Sequence, residues 1–357
     1  MKTSFIIVMK AFFAIALLLL LPVLSFCQLE KGTWLISGNA TLFTPSIINT
    51  TAPAERETYV ELNTLAKAGF FLSNRWVVGA QLSGIVNTSS ERDNISGGIV
   101  LSPFVRYYLN PNHEKRNWFL TADNIISLEL GSGNVSLSTD ALTLGGGVNH
   151  FITPDFALEG FVGARGITTD DVNFALSLGL QFFLRPNVVR AEVTPAVGKG
   201  TWMLGGSSAS ININNSTSDS WNINLAPNVR FFVSDQWAVG AAVGLSFLKL
   251  SAFDISAAVI SPDIRYYFTP EQSRMLWFAT AGANIARTSI NGENISSDLK
   301  HTIILGGSGG LGFNYFLTRS VALEAQLGIN YFETERFNNF NIASSLGLQF
   351  FLPSQKR

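Results

Sequence analysis

Histidines, the side chains that most often act as general acids or bases, are few in this chain and lie far apart. Its three histidines are His113, His150 and His301. A hydrolytic site built on histidine places an acid and a serine beside it, and no such spacing surrounds any of the three. His113 stands in the polar turn 112–116, where a solvated loop is the simpler interpretation. The sequence therefore predicts no catalytic residue and no metal site.

Two other local patterns have both a chemical and a structural interpretation. Asp170 and Asp171 form an acidic pair, but Thr-Thr-Asp-Asp is also the composition of a solvated hairpin loop. The glycine runs at 145–147 and 306–310 lack the Lys-Ser/Thr and the helix of a phosphate-binding loop. Glycine inside a strand more often marks a close backbone approach. No cofactor is expected.

The first 27 residues have the organisation of a signal peptide. Two lysines precede an apolar run over 11–24, and Ser25 and Cys27 are the small residues of a cleavage site before Gln28. A retained membrane anchor and a lipidated Cys27 are the alternatives, and the bulky Phe26 disfavours lipidation. Cys27 is the only cysteine, so cleavage leaves a chain without disulfides or thiol chemistry.

The remainder of the chain is apolar but contains no candidate membrane-spanning helix. It is part of a sequence that is 47% hydrophobic and 14% charged, with a formal net charge of −1, so nothing suggests nucleic-acid binding. After residue 27 no apolar run approaches the roughly 20 residues that a spanning helix needs. An exported, apolar chain of this kind is expected to satisfy its backbone in lipid as a closed all-β barrel.

An internal duplication organises the chain. The octapeptide Ser-Leu-Gly-Leu-Gln-Phe-Phe-Leu occurs at Ser177–Leu184 and again, 168 residues later, at Ser345–Leu352. Each half predicts eight strands, most of them long enough to cross a bilayer when tilted. The expected organisation is a signal peptide (1–27), a first barrel repeat (28–185), a periplasmic linker (186–198), a second repeat (199–353) and a short tail (354–357).

The predicted strands are apolar on one face and polar on the other. In the octapeptide, Leu178, Leu180, Phe182 and Leu184 are expected to face lipid, whereas Ser177, Gly179, Gln181 and Phe183 face the lumen. Polar side chains of other strands fall at a similar level near the short turns. This predicted lumen network comprises Lys67, Arg106, Glu159 and Gln181 in the first half, and Arg230, Arg265, Glu324 and Gln349 in the second.

Tryptophan placement indicates a membrane interface. Six of the seven tryptophans form three matched pairs, and all six fall at the strand ends that tight turns connect: Trp34/Trp202, Trp76/Trp237 and Trp118/Trp277. Amphipathic rings prefer the level of the lipid headgroups. The six are therefore expected to form an aromatic girdle, with the short turns on the periplasmic side.

The segment Leu101–Leu109, with its echo Ile260–Phe268, resembles a central strand of the OmpA/OmpX-like family of eight-stranded outer-membrane barrels. The two octapeptide strands resemble that family's C-terminal assembly signal, carried by Gly179, Phe182 and Phe183 and by Gly347, Phe350 and Phe351. The resemblance covers both halves and implies insertion into the bacterial outer membrane by the barrel assembly machinery. The tail after Leu352 departs from it, since many members stop at the aromatic residue.

Sixteen strands allow two arrangements. They form either two tandem eight-stranded antiparallel barrels or one wide sixteen-stranded barrel with a wet lumen. In a narrow barrel, Arg106 is expected to pair with Glu159 across the lumen, because an uncompensated buried charge is costly. The pairing of Leu178–Leu184 distinguishes the two: with 32–43 the first half closes on itself, and with 200–213 the chain forms one barrel.

The function expected for two narrow barrels is a structural or surface-interaction role in the outer membrane, without catalysis. Its partners are then outer-membrane lipid and, during biogenesis, the barrel assembly machinery. A wide barrel predicts a porin-like passive channel instead. The outer loops are short and of ordinary polar composition, so the sequence identifies no surface ligand.

Overall fold

The computed structural model describes residues 29–50, 56–89, 95–111, 115–131, 134–165, 173–186, 193–214, 220–249, 253–268, 273–292, 301–333 and 337–353. The predicted signal peptide, part of the linker and the tail 354–357 lie outside these residues. Across the described ranges, no helix is long and apolar enough to span a membrane.

The described residues form sixteen antiparallel strands, eight from each repeat. In the first repeat they are β1 (Trp34–Thr50), β2 (Arg56–Phe71), β3 (Trp76–Ser89), β4 (Ile95–Tyr108), β5 (Arg116–Gly131), β6 (Asn134–Thr153), β7 (Phe156–Arg165) and β8 (Asn173–Leu184). In the second they are β9 (Trp202–Asn214), β10 (Ser220–Phe232), β11 (Trp237–Lys249), β12 (Phe253–Tyr267), β13 (Met275–Gly292), β14 (His301–Phe316), β15 (Val321–Glu333) and β16 (Phe337–Leu352).

Alternating side chains give each strand an apolar outer face. In β4, for example, Leu101 and Val105 are exposed outside while Arg106 and Tyr108 are buried inside. Similar exposed side chains recur around both halves, including Leu120, Val162, Ile264, Leu311 and Leu327. An apolar surface of this extent in water would be unfavourable, and it is the surface that lipid requires.

Each repeat closes as an eight-stranded antiparallel barrel at its short-turn end. Trp34–Ile36 of β1 pairs there with Phe182–Leu184 of β8. Trp202–Leu204 of β9 pairs in the same way with Phe350–Leu352 of β16. The prediction of two tandem eight-stranded barrels is therefore confirmed.

Farther from the short turns, the first and last strands exchange partners between the repeats. From Asn39 to Thr50, β1 pairs with β16, and from Asn173 to Leu178, β8 pairs with β9. These pairings join the outer parts of the two barrels in a continuous ring of strands. The pairing of β8 was expected to distinguish two barrels from one. Strand β8 in fact pairs with both candidate strands, with β1 at Phe182–Leu184 and with β9 at Leu178.

Outward-facing apolar residues beside this seam pack between the two barrels. Phe156, Phe182, Val321, Leu348 and Phe350 form one buried cluster. Its centre is a stack of Phe156 on Phe350, with ring centroids 3.8 Å apart. Leu180 packs against the same cluster. The expectation that Leu180 and Phe182 face lipid was therefore wrong, because the other barrel covers them.

Candidate functional site

A buried ion pair crosses the lumen of the first barrel. Arg106 Nη1 lies 2.5 Å from Glu159 Oε2, and Nη2 lies 3.2 Å from Oε1. The two side chains come from β4 and β7, so the contact ties distant strands together. The guanidinium also lies over the Phe119 ring, 3.7 Å from its centroid, where the ring face attracts a cation. The pairing that the sequence predicted is present.

Further polar side chains of the first barrel surround this pair. Lys67 Nζ lies 3.7 Å from Glu159 Oε1. Arg106 donates to Tyr108 Oη (3.4 Å), which also accepts from Asn149 Nδ2 (3.1 Å). Gln181, predicted to join the network, instead donates to Ser37 Oγ of the adjacent strand β1 (3.4 Å). The structure thus joins Lys67, Arg106 and Glu159 and places Gln181 beside them.

An aromatic layer closes the first barrel below the ion pair. Its buried members are Phe71, Tyr108, Phe119, Phe151 and Phe183. Tyr108 stacks on Phe71 at 5.5 Å, and Phe183 lies 4.7 Å from Phe151. Leu29, which precedes β1, is 1% exposed and belongs to the same cluster. The lumen of this barrel is therefore filled at its base by side chains and by the entering chain.

The second barrel repeats this arrangement with more hydrogen bonds. Arg265 Nη1 lies 2.5 Å from Glu324 Oε2, and its guanidinium lies 3.7 Å from the Phe278 centroid. Asn314 Nδ2 (2.9 Å) and Gln349 Nε2 (3.3 Å) also donate to the Glu324 carboxylate. Three side chains therefore donate hydrogen bonds to the buried Glu324 carboxylate. Hydrogen bonds to a charged acceptor are the strong ones, so they stabilise its ionised form.

The base of the second barrel is closed in the same way as the first. Phe232, Tyr267, Phe278, Phe316 and Phe351 are buried together there. Val197 of the linker packs against them and stands 168 residues after Leu29. Sequence analysis did not find this entering segment, although the repeat offset extends to it.

Arg230 forms an ion pair with an acid that was not part of the predicted network. Arg230 Nη2 lies 2.6 Å from Asp263 Oδ2 on β12, and Nη1 donates to Asn228 Oδ1 (3.3 Å). In the first repeat the matching positions hold Gly69 and Phe104, and a Cβ at Gly69 would meet the Phe104 ring at 3.0 Å. An ion pair in one barrel thus replaces a glycine–aromatic contact in the other. Arg230 thus lies in the lumen, as predicted, and its ion-pair partner is Asp263.

This difference between the repeats predicts that replacing both Arg230 and Asp263 destabilises the second barrel less than replacing Asp263 alone. Asp263→Ala leaves the Arg230 cation without its carboxylate and is expected to cost about 1–3 kcal/mol of unfolding free energy. Arg230→Gly with Asp263→Phe, the first barrel's combination, is expected to cost less than Asp263→Ala alone. Urea unfolding followed by tryptophan fluorescence measures both. A double variant less stable than Asp263→Ala would contradict the proposed equivalence.

The glycine runs lie in strands, as their structural interpretation predicts. Gly147 of β6 faces the lumen, and a Cβ there would lie 2.3 Å from the Gly160 carbonyl oxygen and 2.5 Å from the Phe119 ring. Gly307 of β14 faces outward, and the nearest atom to a Cβ there is 3.8 Å away. Close backbone approach therefore explains Gly147, whereas nothing in the structure explains Gly307.

Alanine at these two glycines is expected to have unequal effects. Gly147→Ala forces the Phe119 ring, and with it Arg106, to move, at a cost of about 1–3 kcal/mol for overpacking. Gly307→Ala is expected to be neutral, because its methyl group makes only an ordinary van der Waals contact, 3.8 Å from the Gly282 carbonyl oxygen. Heat-modifiable gel migration and urea unfolding of the two variants provide the comparison. Equal stability of the two variants would contradict this packing.

The six predicted girdle tryptophans lie near the short-turn ends of their strands, with exposed fractions from 42% to 53%. Trp34, Trp76, Trp202 and Trp237 are the first residues of β1, β3, β9 and β11. Trp76 packs on Tyr107, and Trp237 packs in the same way on Tyr266. These rings therefore stand half-buried on the outer surface, as an interfacial aromatic side chain requires.

Trp118 and Trp277 depart from the other four in their position along the strand. Each is the third residue of its strand, β5 or β13, and therefore still lies at the short-turn end. Trp277 is 43% exposed, and its ring centroid lies 5.2 Å from that of Phe313 on β14. Both rings still face outward, which keeps them in the girdle, slightly farther from the turns.

The other chemical candidates lie partly outside the described residues. Asp170, Asp171 and His113 lie outside the described residues. His150 lies near the short-turn end of β6, opposite Arg116 of β5. Within the described ranges, no group of three or more His, Cys, Asp or Glu side chains can hold a metal ion.

A family model described as a protein of unknown function (DUF3575) matches residues 197–348. The match falls within the second repeat and its entering segment. No curated protein sequence matches the chain.

Several solved structures are similar to this chain at low sequence identity. A bacterial polysaccharide outer membrane secretin has 10% identity and a TM-score of 0.45, over 91% of this chain and 99% of that one. The N-terminal β-barrel domain of Pseudomonas aeruginosa OprF has 15% identity and a TM-score of 0.29, over 43% and 99%. The Pseudomonas aeruginosa outer membrane protein OprG has 13% identity and a TM-score of 0.28, over 45% and 100%.

Proposed function

We propose that this chain is an integral protein of the bacterial outer membrane with a structural or surface-interaction role, and that it does not conduct solutes. The observation that carries the proposal is the closed base of each barrel. An Arg–Glu ion pair crosses each lumen, and a layer of buried aromatic side chains fills the space below it. A barrel filled in this way provides a rigid membrane anchor.

Placement in the outer membrane is supported by the surface and by the sequence. The apolar belt requires lipid, and the tryptophan girdle fits one headgroup region. The predicted signal peptide supplies export, and the octapeptide strands supply the assembly signal. Outer-membrane lipid and the barrel assembly machinery are therefore the proposed partners, and the short turns are proposed to face the periplasm.

A porin-like channel is the second candidate, because the outer parts of the barrels join in one ring of strands. That ring would admit solutes from outside to a wider chamber. Passage through either base would then require displacement of Arg106 and Glu159, or of Arg265 and Glu324, together with the aromatic layers. These contacts favour the non-conducting role.

Swelling of liposomes that contain the purified chain tests the proposal. Proteoliposomes loaded with a polymer are diluted into isotonic arabinose or stachyose, and light scattering follows sugar entry. We expect arabinose and stachyose to enter the proteoliposomes no faster than they enter protein-free liposomes. Entry of arabinose at the rate of a porin control would overturn the non-conducting role.

A further inference from the structure

The seam is the region where β1, β8, β9 and β16 meet. There, β1 has the same register with the last strand of either repeat, β8 or β16. Thr41 of β1 pairs with Ser345 of β16. If the β1–β8 pairing of Ile36 with Phe182 is continued by five residues, Thr41 meets Ser177. Ser177 and Ser345 are both the first residue of the repeated octapeptide. The first strand therefore meets the same octapeptide position whichever repeat supplies its partner.

Strand β9 reaches the same register through a bulge. Continued unbroken from Leu204 and Phe350, its ladder would pair Ala209 with Ser345, whereas its observed pairing with β8 puts Ser210 opposite Ser177, one residue later. Its base pairs Leu204 with Phe350, as the base of β1 pairs Ile36 with Phe182, and both matches are 168 residues apart. Both first strands also carry one extra residue, between Thr41 and Thr44 in β1 and between Ser207 and Ser210 in β9. Because these bulges fall at nearly equivalent places, the register after them is also shared.

Equal registers make the two pairings equivalent over the length of β8. Exchanging partners there moves no side chain to the opposite face, because the register does not slip by one residue. The pairs that β1 makes with β16 from Asn39 to Ser46 have counterparts in β8, whereas those from Ile47 to Thr50 lie beyond the first residue of β8, Asn173. Once the barrel is in lipid, however, an exchange would leave backbone groups unpaired without water to solvate them.

We propose that the seam has two accessible closures and that the choice between them is made during membrane assembly. One is the exchanged closure of the structure, in which the barrels share an outer chamber. In the other, β1 pairs with β8 over the length of β8 and β9 pairs with β16 over the length of β9, which gives two separate lumens. This inference concerns the outer part of the seam and does not depend on whether the bases conduct.

A variant in which one cysteine chooses between two partners tests the proposal. Thr41→Cys, Ser177→Cys and Ser345→Cys are combined in a Cys27→Ala background, and the chain is folded into bilayers and oxidised. Directly paired residues of antiparallel strands have Cα atoms about 4.5–5.5 Å apart, within the range that a disulfide spans. Proteolysis and mass spectrometry then show whether the cysteine at position 41 is bonded to position 177 or to position 345.

We expect both the 41–345 and the 41–177 disulfides, in a ratio that does not change on incubation between folding and oxidation. Gln81→Cys with Ser102→Cys is the matched control, because these residues pair within the first barrel in either closure. Formation of the control bond with only one of the two seam bonds would overturn the proposal. A ratio that drifts after folding would overturn the assignment of the choice to assembly.

Discussion

Replacing Glu159 by alanine is expected to destabilise the first barrel by about 3–5 kcal/mol, the usual cost of breaking a buried ion pair. The substitution leaves Arg106, which is 1% exposed, without its carboxylate, and it also removes the contact with Lys67. Water from the lumen can reach Lys67 more readily, so most of the penalty comes from Arg106. Urea unfolding in detergent micelles, with linear extrapolation of the free energy, measures the effect.

Two companion variants separate the loss of the charge from the loss of packing. Arg106→Met with Glu159→Leu removes both charges and keeps apolar volume, and it is expected to be far less destabilising than Glu159→Ala. Glu324→Ala is the matched change in the second barrel. There, Asn314 and Gln349 also lose their acceptor, so the cost should be at least as large. A Glu159→Ala chain as stable as wild type would contradict the ion pair's structural role.

Phe183→Ala is expected to cost about 3–5 kcal/mol, as large-to-small substitutions of buried aromatic residues usually do. Phe183 is 1% exposed and lies at the centre of the base, where it contacts Phe71 and Phe151. Side chains from several strands surround the space it occupies, so the barrel cannot collapse to fill the cavity. The same urea transition provides the measurement.

Phe174 is the matched control on the same strand. It is 51% exposed on the outer face, where a neighbouring acyl chain can fill the space that a truncated ring leaves. Phe174→Ala is therefore expected to cost about 1.5–3 kcal/mol, the loss of apolar transfer alone. Equal effects of Phe183→Ala and Phe174→Ala would indicate that the base is not packed as described.

The sequence carried most of the information on the architecture. Alternation in strands such as β4 separates the apolar belt from the lumen, and the repeat aligns Arg106 with Arg265 and Glu159 with Glu324 closely enough to predict the lumen pair. The ion pair was predictable because a buried charge needs an opposite charge beside it, and each half offers few such partners. The entering segments with Leu29 and Val197 were missed, since neither has a strand-like pattern.

The seam and the inter-barrel cluster could not be predicted, for reasons that lie in the duplication itself. Identical octapeptides at Ser177 and Ser345 offer β1 two chemically equal partners, so no local preference selects one. Phe182 was assigned to lipid because a second barrel and a lipid chain require the same apolar surface. Arg230 was placed in the lumen network from its level along the strand, and its ion-pair partner Asp263 was missed because it occurs only in the second repeat.

Single-channel recording in planar bilayers tests the central claim, that both barrels are closed at their bases, most directly. Purified full-length chain is incorporated from detergent at increasing concentration, with a known porin as the control for insertion. The closed bases predict a flat current trace, while protease protection shows that the chain has inserted. Stable, uniform conductance steps of porin size would contradict the account.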